Sequence, residues 1–151
     1  MKILLICTHN ACRSIIGEAV FNKIAFPRIK ARSAGSSPRG TVHPLTIKHL
    51  MRHGYDTSKL SSKSWDDFAD WQPDVVITLC DQAAGETCPV YFGKSLKIHW
   101  GLPDPSREGE NEFENFDRTI ETLEKRVQGL LNEPFEEMTK EELMYLFKKV
   151  I

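Results

Sequence analysis

The sequence predicts an α/β fold in a single domain, an open parallel sheet of about four strands flanked by helices. Apolar runs without alternation, typical of strands that are buried on both faces, recur along the chain. Segments whose apolar residues repeat at helical spacing lie between these runs. Strands that alternate with helices form a parallel sheet with right-handed crossovers. The length of 151 residues fits one domain, 1–151, with a sizeable core.

The first half of the chain supplies two strands and two helices. Residues 2–7 are an apolar run that ends at a polar loop, and they predict a buried strand. A helix follows over 14–26 and ends at a proline. A short second strand at 29–34 precedes a turn rich in Gly and Ser. A second helix begins at Pro44 and ends near Gly54.

The second half supplies two more strands and two long helices. Residues 64–71 predict a short helix, and 74–80 predict a second confidently buried strand. Residues 95–100 alternate between apolar and polar, as an edge strand does. After a loop rich in Pro and Gly, a long helix is predicted at 110–131. An extra C-terminal helix at about 139–150 opens with a capping box.

Composition narrows the class of protein. The net charge of -1 gives no basic surface for nucleic acid or a membrane, and the apolar N-terminal run is too short for a signal peptide or a membrane span. We therefore expect a cytoplasmic protein in which the four cysteines serve catalysis, redox chemistry or metal binding. The cysteine spacings do not match zinc sites, and His49 and His53 are expected on a solvated helix face, so no metal is predicted.

Cys7 and Arg13 stand in a C-x5-R spacing at the end of the first predicted strand. The loop between them can direct its backbone N–H groups at one tetrahedral oxyanion, and Arg13 offers a bidentate fork. The helix N-terminus adds positive charge, which also favours a thiolate at Cys7 and makes this residue a nucleophile. The predicted oxyanion-binding residues are Thr8, His9, Asn10, Ala11, Cys12, Arg13 and Ser14.

Side chains of this loop have further interpretations. Asn10 suits a left-handed bend. Cys12 either forms a protective disulfide with Cys7 or packs against its neighbours. The Ser14 hydroxyl hydrogen-bonds the Cys7 thiolate, caps the following helix, or does both.

Three chemically active side chains follow the ends of predicted strands. Cys7 ends the first strand, Cys80 ends the third, and Asp104 follows the fourth. The carboxyl ends of parallel strands lie at one edge of the sheet, where open α/β proteins place their sites. Asp104 is therefore predicted to protonate the leaving oxygen when Cys7 attacks an oxyanion. The alternative is that Asp104 is an ordinary turn residue before Pro105.

Cys80 and Cys88 flank a polar loop that contains a glycine and is able to move. Attack of Cys80 on a Cys7 adduct would form a Cys7–Cys80 disulfide and release a reduced product. Cys88 would then shift the disulfide to Cys80–Cys88, within reach of an external thiol. The alternative is that Cys80 is a buried strand-end residue and Cys88 an incidental loop thiol.

Together these motifs resemble the low-molecular-weight protein tyrosine phosphatase family, and its arsenate reductase branch most closely. Residues 7–14 resemble the family's C-x5-R-S loop, and Asp104-Pro105 resembles its general-acid loop. Residues 76–81 with Cys88-Pro89 resemble the bacterial arsenate reductases specifically. The resemblance covers roughly residues 2–131.

The resemblance implies a strand order of 2-1-3-4 and an arsenate reductase that releases arsenite. Cys7 would be the nucleophile toward arsenate, Arg13 and the loop amides would bind the oxyanion, and Asp104 would donate the proton. Cys80 and Cys88 would be the resolving thiols. No bound cofactor is expected, and the electron donor would be an external thiol system, either thioredoxin or glutaredoxin with glutathione.

The sequence departs from the family pattern in three places. His9 replaces a glycine of the loop, and Ser106 stands where the tyrosine phosphatases carry an aromatic residue. The loop between Cys80 and Cys88 is one residue longer than in thioredoxin-coupled reductases. Two alternatives to a reductase remain, a phosphatase that hydrolyses phosphate monoesters through a phosphocysteine and a non-catalytic anion- or metal-binding module.

Overall fold

A four-stranded parallel sheet forms the centre of the computed structural model, which describes residues 1–107 and 111–151. The strand order is β2-β1-β3-β4, so the predicted fold class and strand order are confirmed. The strands are β1 (Lys2–Ile6), β2 (Lys30–Ala34), β3 (Val75–Thr78) and β4 (Leu96–His99). β1 pairs with both β2 and β3, which places its C-terminal end at the middle of one sheet edge.

Helices follow the strands along the chain. They are α1 (Arg13–Ile24), α2 (Pro44–Arg52), α3 (Asp81–Ala84), α4 (Glu112–Leu131) and α5 (Lys140–Lys149), with 3-10 turns at Trp65–Phe68, Val90–Phe92 and Phe135–Glu137. The sequence does not predict α3, because four residues are too few to show a helical repeat. The expected loop and helix residues at 108–110 lie outside the described part of the chain. The predicted capping box of Thr139 and Glu142 is present at the start of α5.

The two faces of the sheet carry different layers. Ile3 and Leu5 of β1 point into the larger core, which also contains the inner faces of α1, α4 and α5. Leu4 and Ile6 point to the opposite face, into a smaller cluster that contains Cys7 and aromatic residues of the segments at 65–71 and 90–92. This alternation follows from the two-residue period of a strand.

The contact between α2 and α4 shows that the expected solvated helix face at His49 is wrong. His49 is fully buried rather than on a solvated face, and its ring stacks on Phe116 with centroids 4.4 Å apart. Its Nδ1 atom accepts a hydrogen bond from Arg52, so Nε2 carries the proton and donates to Glu112 at 2.8 Å. His53 hydrogen-bonds Asp117 at 2.7 Å. Glu112 and Asp117 of α4 supply the hydrogen-bond partners of these histidines, and the partner of His49 allows it to be buried. The spacing of the histidines in the sequence does not reveal these partners.

Among residues 1–107 and 111–151, no helix is both long enough and apolar enough to cross a membrane.

Candidate active site

A cavity of about 70 Å³ opens at the edge of the sheet where β1 and β3 end and the loop after β4 passes. The structure therefore brings Cys7, Arg13 and Asp104 together, although Arg13 and Asp104 are 91 positions apart in the chain. The cavity has the size of one small oxyanion. Its lining residues are Cys7, His9, Ala11, Cys12, Arg13, Arg39, His43, Asp104 and Ser106.

The loop from Cys7 to Arg13 keeps its backbone donors available. Asn10 adopts a left-handed conformation with φ of 45°, as the sequence predicts, and its N–H donates to the Cys7 carbonyl at 3.3 Å. Within the described ranges, the N–H groups of His9, Ala11, Cys12 and Arg13 donate to no protein acceptor. Because α1 begins at Arg13, its N-terminus adds partial positive charge beside these groups.

The Arg13 side chain is held on one side only. Its Nη1 atom donates to the carbonyl of Leu102 at 2.8 Å, which fixes the guanidinium against the loop after β4. Its Nε atom is buried and has no partner among the described residues. A buried unpaired guanidinium N–H is costly, so this atom fits a site that receives an anion.

A polar network behind the loop fixes its shape. The Asn10 amide donates to the Ser14 hydroxyl at 2.8 Å and accepts from the backbone N–H of Lys63 at 2.7 Å. The N-cap of α1 is Cys12, without a side-chain hydrogen bond, so Ser14 does not cap the helix. The Ser14 hydroxyl thus accepts from Asn10, and the backbone N–H of Ser14 acts to lower the pKa of Cys7.

The network continues to a buried carboxylate that sequence reasoning misses. Glu18 is 6% exposed, accepts from the Ser33 hydroxyl at 2.5 Å and pairs with Lys63 Nζ at 3.5 Å. In the sequence Glu18 looks like an ordinary polar helix position. Its partners come from β2 and from the segment before residue 65, so only the folded chain identifies it.

Gly35, directly after β2, allows the chain to approach the loop closely. A Cβ atom at this position would lie 2.4 Å from the carbonyl oxygen of Thr8 and 2.6 Å from that of Cys7. Such distances are well inside van der Waals contact, so the loop requires glycine here. Hydrogen bonds from Ser37 to Thr8 and from Arg39 to His9 continue the contact.

The Cys7 and Cys80 thiols are both buried in the same small cluster, and each changes the pKa of the other. The contact with Cys7 and hydrogen bonds from the backbone N–H groups of Thr8 and Ala83 lower the pKa of Cys80 to about 5. The contact with Cys80 and burial raise the pKa of Cys7. The sequence predicts a thiolate at Cys7. In this structure the negative charge of the pair lies on Cys80, because the donors that stabilise it converge there.

The chain after Cys80 starts with a helical turn that the sulfur caps. The backbone N–H of Ala83 donates to Cys80 Sγ at 3.4 Å. Further along this loop, Glu86 accepts a hydrogen bond of 2.8 Å from the Thr8 hydroxyl. Cys88 follows two residues later and is partly exposed, whereas the other three cysteines are buried. All four cysteines are free thiols in this structure.

Asp104 combines the two interpretations that the sequence leaves open. Its carboxylate accepts hydrogen bonds from the backbone N–H and the hydroxyl of Ser106, at 2.9 and 2.7 Å, as in an ordinary turn. The same carboxylate lines the cavity. Burial alone would raise the pKa of Asp104, but the two hydrogen bonds and the positive charges of Arg13 and His43 lower it below the ordinary range.

Cys12, Arg39 and His43 complete the cavity wall. Burial raises the pKa of Cys12 to about 12, so this thiol stays protonated near neutral pH. Arg39 and His43 place two further basic side chains at the cavity. His43 also caps α2, because its Nδ1 atom accepts from the N–H of Leu45. Among the residues that the structure describes, no cluster of three or more His, Cys, Asp and Glu side chains is arranged to hold a metal ion.

These features define an α/β protein with a small cavity beside a buried cysteine, lined by basic side chains. The model of the family described as low molecular weight phosphotyrosine protein phosphatase matches residues 2–143. The chain belongs to this family.

Its relatives include enzymes named arsenate reductase. One from Halalkalibacterium halodurans is 33% identical over 128 residues, which cover 83% of this chain and 91% of that protein. A solved arsenate reductase in its phosphate-binding state is 28% identical with a TM-score of 0.73, over 87% of this chain and 96% of that one. The thioredoxin-dependent arsenate reductase Cg_ArsC1' of Corynebacterium glutamicum is 30% identical with a TM-score of 0.67, over 87% of this chain and 60% of that one.

Proposed function

We propose that this protein is an arsenate reductase that converts arsenate to arsenite through a cysteine adduct and an intramolecular disulfide relay. The observation that carries the proposal is the presence of two buried thiols in one small cluster, Cys80 and the cavity residue Cys7. A phosphatase needs one nucleophilic thiol, whereas reduction of the bound oxyanion needs a second thiol within reach of the first. The related proteins named arsenate reductase support the same assignment.

In the first step, the loop N–H groups and Arg13 hold arsenate with its arsenic atom facing Cys7. The proton shared by the thiol pair moves to Cys80, and the Cys7 thiolate attacks arsenic. A water molecule leaves, with its proton donated by Asp104. The lowered pKa of Asp104 means that it is ionised before the oxyanion arrives. The negative charge of bound arsenate opposes that ionisation, so Asp104 gains a proton together with the substrate.

In the second step, Cys80 attacks the sulfur of Cys7. The S–S bond forms as the S–As bond breaks, and the electron pair of the S–As bond stays on arsenic, which leaves as arsenite. Each thiol supplies one of the two electrons. Cys88 then attacks Cys80 and carries the disulfide to the partly exposed side of the loop.

An external thiol system has to reduce this final disulfide. We propose thioredoxin as the electron donor, because a related enzyme that is 30% identical is named as thioredoxin-dependent. Glutaredoxin with glutathione is the alternative donor. Because both systems work in the reducing cytoplasm, we place the protein there.

Substitution of Cys80 tests the relay. Cys80→Ser should abolish multiple turnovers of arsenate, measured as arsenate-dependent NADPH oxidation in one thioredoxin-based and one glutaredoxin–glutathione-based system. Hydrolysis of an aryl phosphate, which needs only the cavity and Cys7, should persist in this variant. If the wild-type chain consumes no NADPH with either system, the proposed reductase function is wrong.

A phosphatase is the second candidate, favoured by the family description and by the presence of Arg13 and Asp104 at one cavity. Rapid hydrolysis of phosphotyrosine peptides by the wild-type chain, without arsenate-dependent thiol oxidation, would select it.

A further inference from the structure

Glu86 is a carboxylate of the loop between the two resolving cysteines for which neither proposed reaction has a use. It contacts the loop from Cys7 to Arg13, called here the active-site loop, because the Thr8 hydroxyl donates to Glu86 Oε1 at 2.8 Å. The same hydroxyl oxygen is 3.8 Å from Cys80 Sγ. Thr8 thus stands between a carboxylate and a thiol that come from one loop.

A hydroxyl group has one proton to donate and lone pairs that accept. At 2.8 Å the carboxylate of Glu86 receives the Thr8 proton, so the contact of Thr8 with Cys80 is open to donation by the thiol. The three groups form a chain in which a proton can move from sulfur to hydroxyl and from hydroxyl to carboxylate.

We propose that Thr8 and Glu86 form a proton relay that deprotonates Cys80 when it attacks the Cys7–arsenic adduct. Thr8 contacts the reacting sulfur, and Glu86 is a positioning residue that acts through Thr8. This inference rests on the reductase function and assigns a part of its second step. It concerns only Cys80, so hydrolysis of a phosphate ester makes no use of it.

The relay has a defined moment of action. Once Cys7 is bonded to arsenic, it has no thiol proton with which to stabilise a neighbouring thiolate. Cys80 then holds the proton that the pair shared, and it has to lose this proton to become a nucleophile. In the relay, the Cys80 proton moves to the Thr8 oxygen and the Thr8 proton moves to Glu86. The partly exposed Glu86 returns a proton to solvent, and the departing arsenite takes up one equivalent.

The same transfer prepares the next step. A hydrogen bond from Thr8 to an ionised carboxylate is stronger than one to a neutral carboxylic acid. Protonation of Glu86 therefore weakens the link that holds the loop to Thr8. The loop has to move for Cys88 to reach Cys80, and the weaker link favours that movement.

The experiment uses a Cys88→Ser background, in which the reaction stops at the Cys7–Cys80 disulfide. Arsenate is added in single-turnover conditions, and arsenite release and disulfide formation are followed from pH 6 to pH 9. Glu86→Gln keeps an acceptor for Thr8 but cannot take its proton. We expect disulfide formation in this variant to slow by about tenfold or more near pH 6.5. The deficit should shrink toward pH 9, where hydroxide deprotonates Cys80.

Two comparisons keep the result interpretable. Glu137→Gln makes the same chemical change at an exposed position in the turn before α5, and it should follow the parent rate. A Glu86→Gln rate equal to that of the parent at every pH would overturn the proposal. So would an equal slowing at every pH, since a tether without proton transfer has no pH dependence of its own.

Failure of the inference can be told apart from failure of the reductase function. If the Cys88→Ser parent releases no arsenite, the reductase function itself is wrong. If the parent releases arsenite and Glu86→Gln matches it, only the relay is wrong. A parallel loss of aryl phosphate hydrolysis in Glu86→Gln would show a disturbed cavity, and this outcome also overturns the relay.

Discussion

The pKa values of Cys7 and Cys80 depend on each other, because each thiol is the largest influence on the other. The pair holds its proton on Cys7 and its negative charge on Cys80, because the backbone N–H groups of Thr8 and Ala83 donate to the Cys80 sulfur. Cys7 becomes a nucleophile only when that proton moves. Removing one thiol should therefore change the other.

Cys80→Ser should make Cys7 more acidic, because the contact that raises the pKa of Cys7 most is lost. A larger thiolate fraction at Cys7 speeds its reaction with iodoacetamide. We expect alkylation of Cys7 at pH 7 to be about tenfold faster than in the wild type, with its pH midpoint shifted downward. Peptide mass spectrometry across pH 5–10 measures this. An unchanged or slower reaction would show that Cys80 does not control the proton of Cys7.

Among the features of the site, the sequence predicts those that depend on neighbouring residues in the chain. The C-x5-R spacing predicts the loop and the left-handed Asn10, since both depend on neighbours in the chain. Because the carboxyl ends of parallel strands lie at one edge of the sheet, the sequence also predicts that Cys80 and Asp104 lie close to this loop. The coupling of the two thiols depends on an approach between residues 73 positions apart, and no short-range pattern encodes it.

Among the elements, the segment before the 3-10 turn at Trp65–Phe68 supports the active-site loop from behind. Its Lys63 donates through the backbone to Asn10 and pairs through the ammonium group with Glu18. The pair is largely buried, with side-chain exposures of 20% for Lys63 and 8% for Glu18. A buried carboxylate that loses its partner is costly.

Lys63→Met should lower the free energy of unfolding by about 2–3 kcal/mol at pH 7, because Glu18 is left buried without a counter-charge. The Kd for arsenate should change much less, because the backbone N–H of residue 63 that holds Asn10 is kept. Adding Glu18→Gln to Lys63→Met should recover part of the stability, because the unpaired charge is removed. Urea unfolding and arsenate titration test both variants, with Lys59→Met as an exposed control. A double variant no more stable than Lys63→Met would contradict the account.

The sequence predicts the helices and strands that are long enough to show a repeat of apolar residues. The long helices and the buried strands follow from repeats of apolar residues, with ends that differ from the predicted ones by a few residues. The helical turn α3 is too short for such a repeat and depends on a sulfur cap. The network of Ser33, Glu18 and Lys63 joins three elements, so it becomes visible only when they pack.

For the molecule as a whole, α5 closes the side of the core next to the edge strand β4. The Trp100 indole N–H donates to the carbonyl of Phe147 at 2.8 Å, and the two rings lie 5.7 Å apart. Leu143 and Leu146 join the same core. The family model ends at residue 143, so most of α5 lies beyond it. The assignment of 1–151 to one domain remains a prediction.

Phe147→Ala should lower the free energy of unfolding by about 3 kcal/mol or more, because it leaves a cavity against Trp100. The cavity at Cys7 lies at the edge of the sheet and is not lined by α5, so aryl phosphate hydrolysis per folded molecule should stay unchanged. Tyr145→Ala, on the exposed side of α5, should change stability by less than about 0.5 kcal/mol. Similar losses in the two variants would show that α5 does not pack as described.

The close approach of Gly35 to the active-site loop has a consequence for the order of folding. The loop obtains its shape only when the chain around residues 35–39 lies against it and Lys63 has reached Asn10. During synthesis, Cys7 leaves the ribosome before either partner exists. Until then it is an ordinary thiol without an anion site, and the nascent chain carries no activated cysteine. The oxyanion site beside Cys7 thus appears only after about 60 further residues have been added and paired.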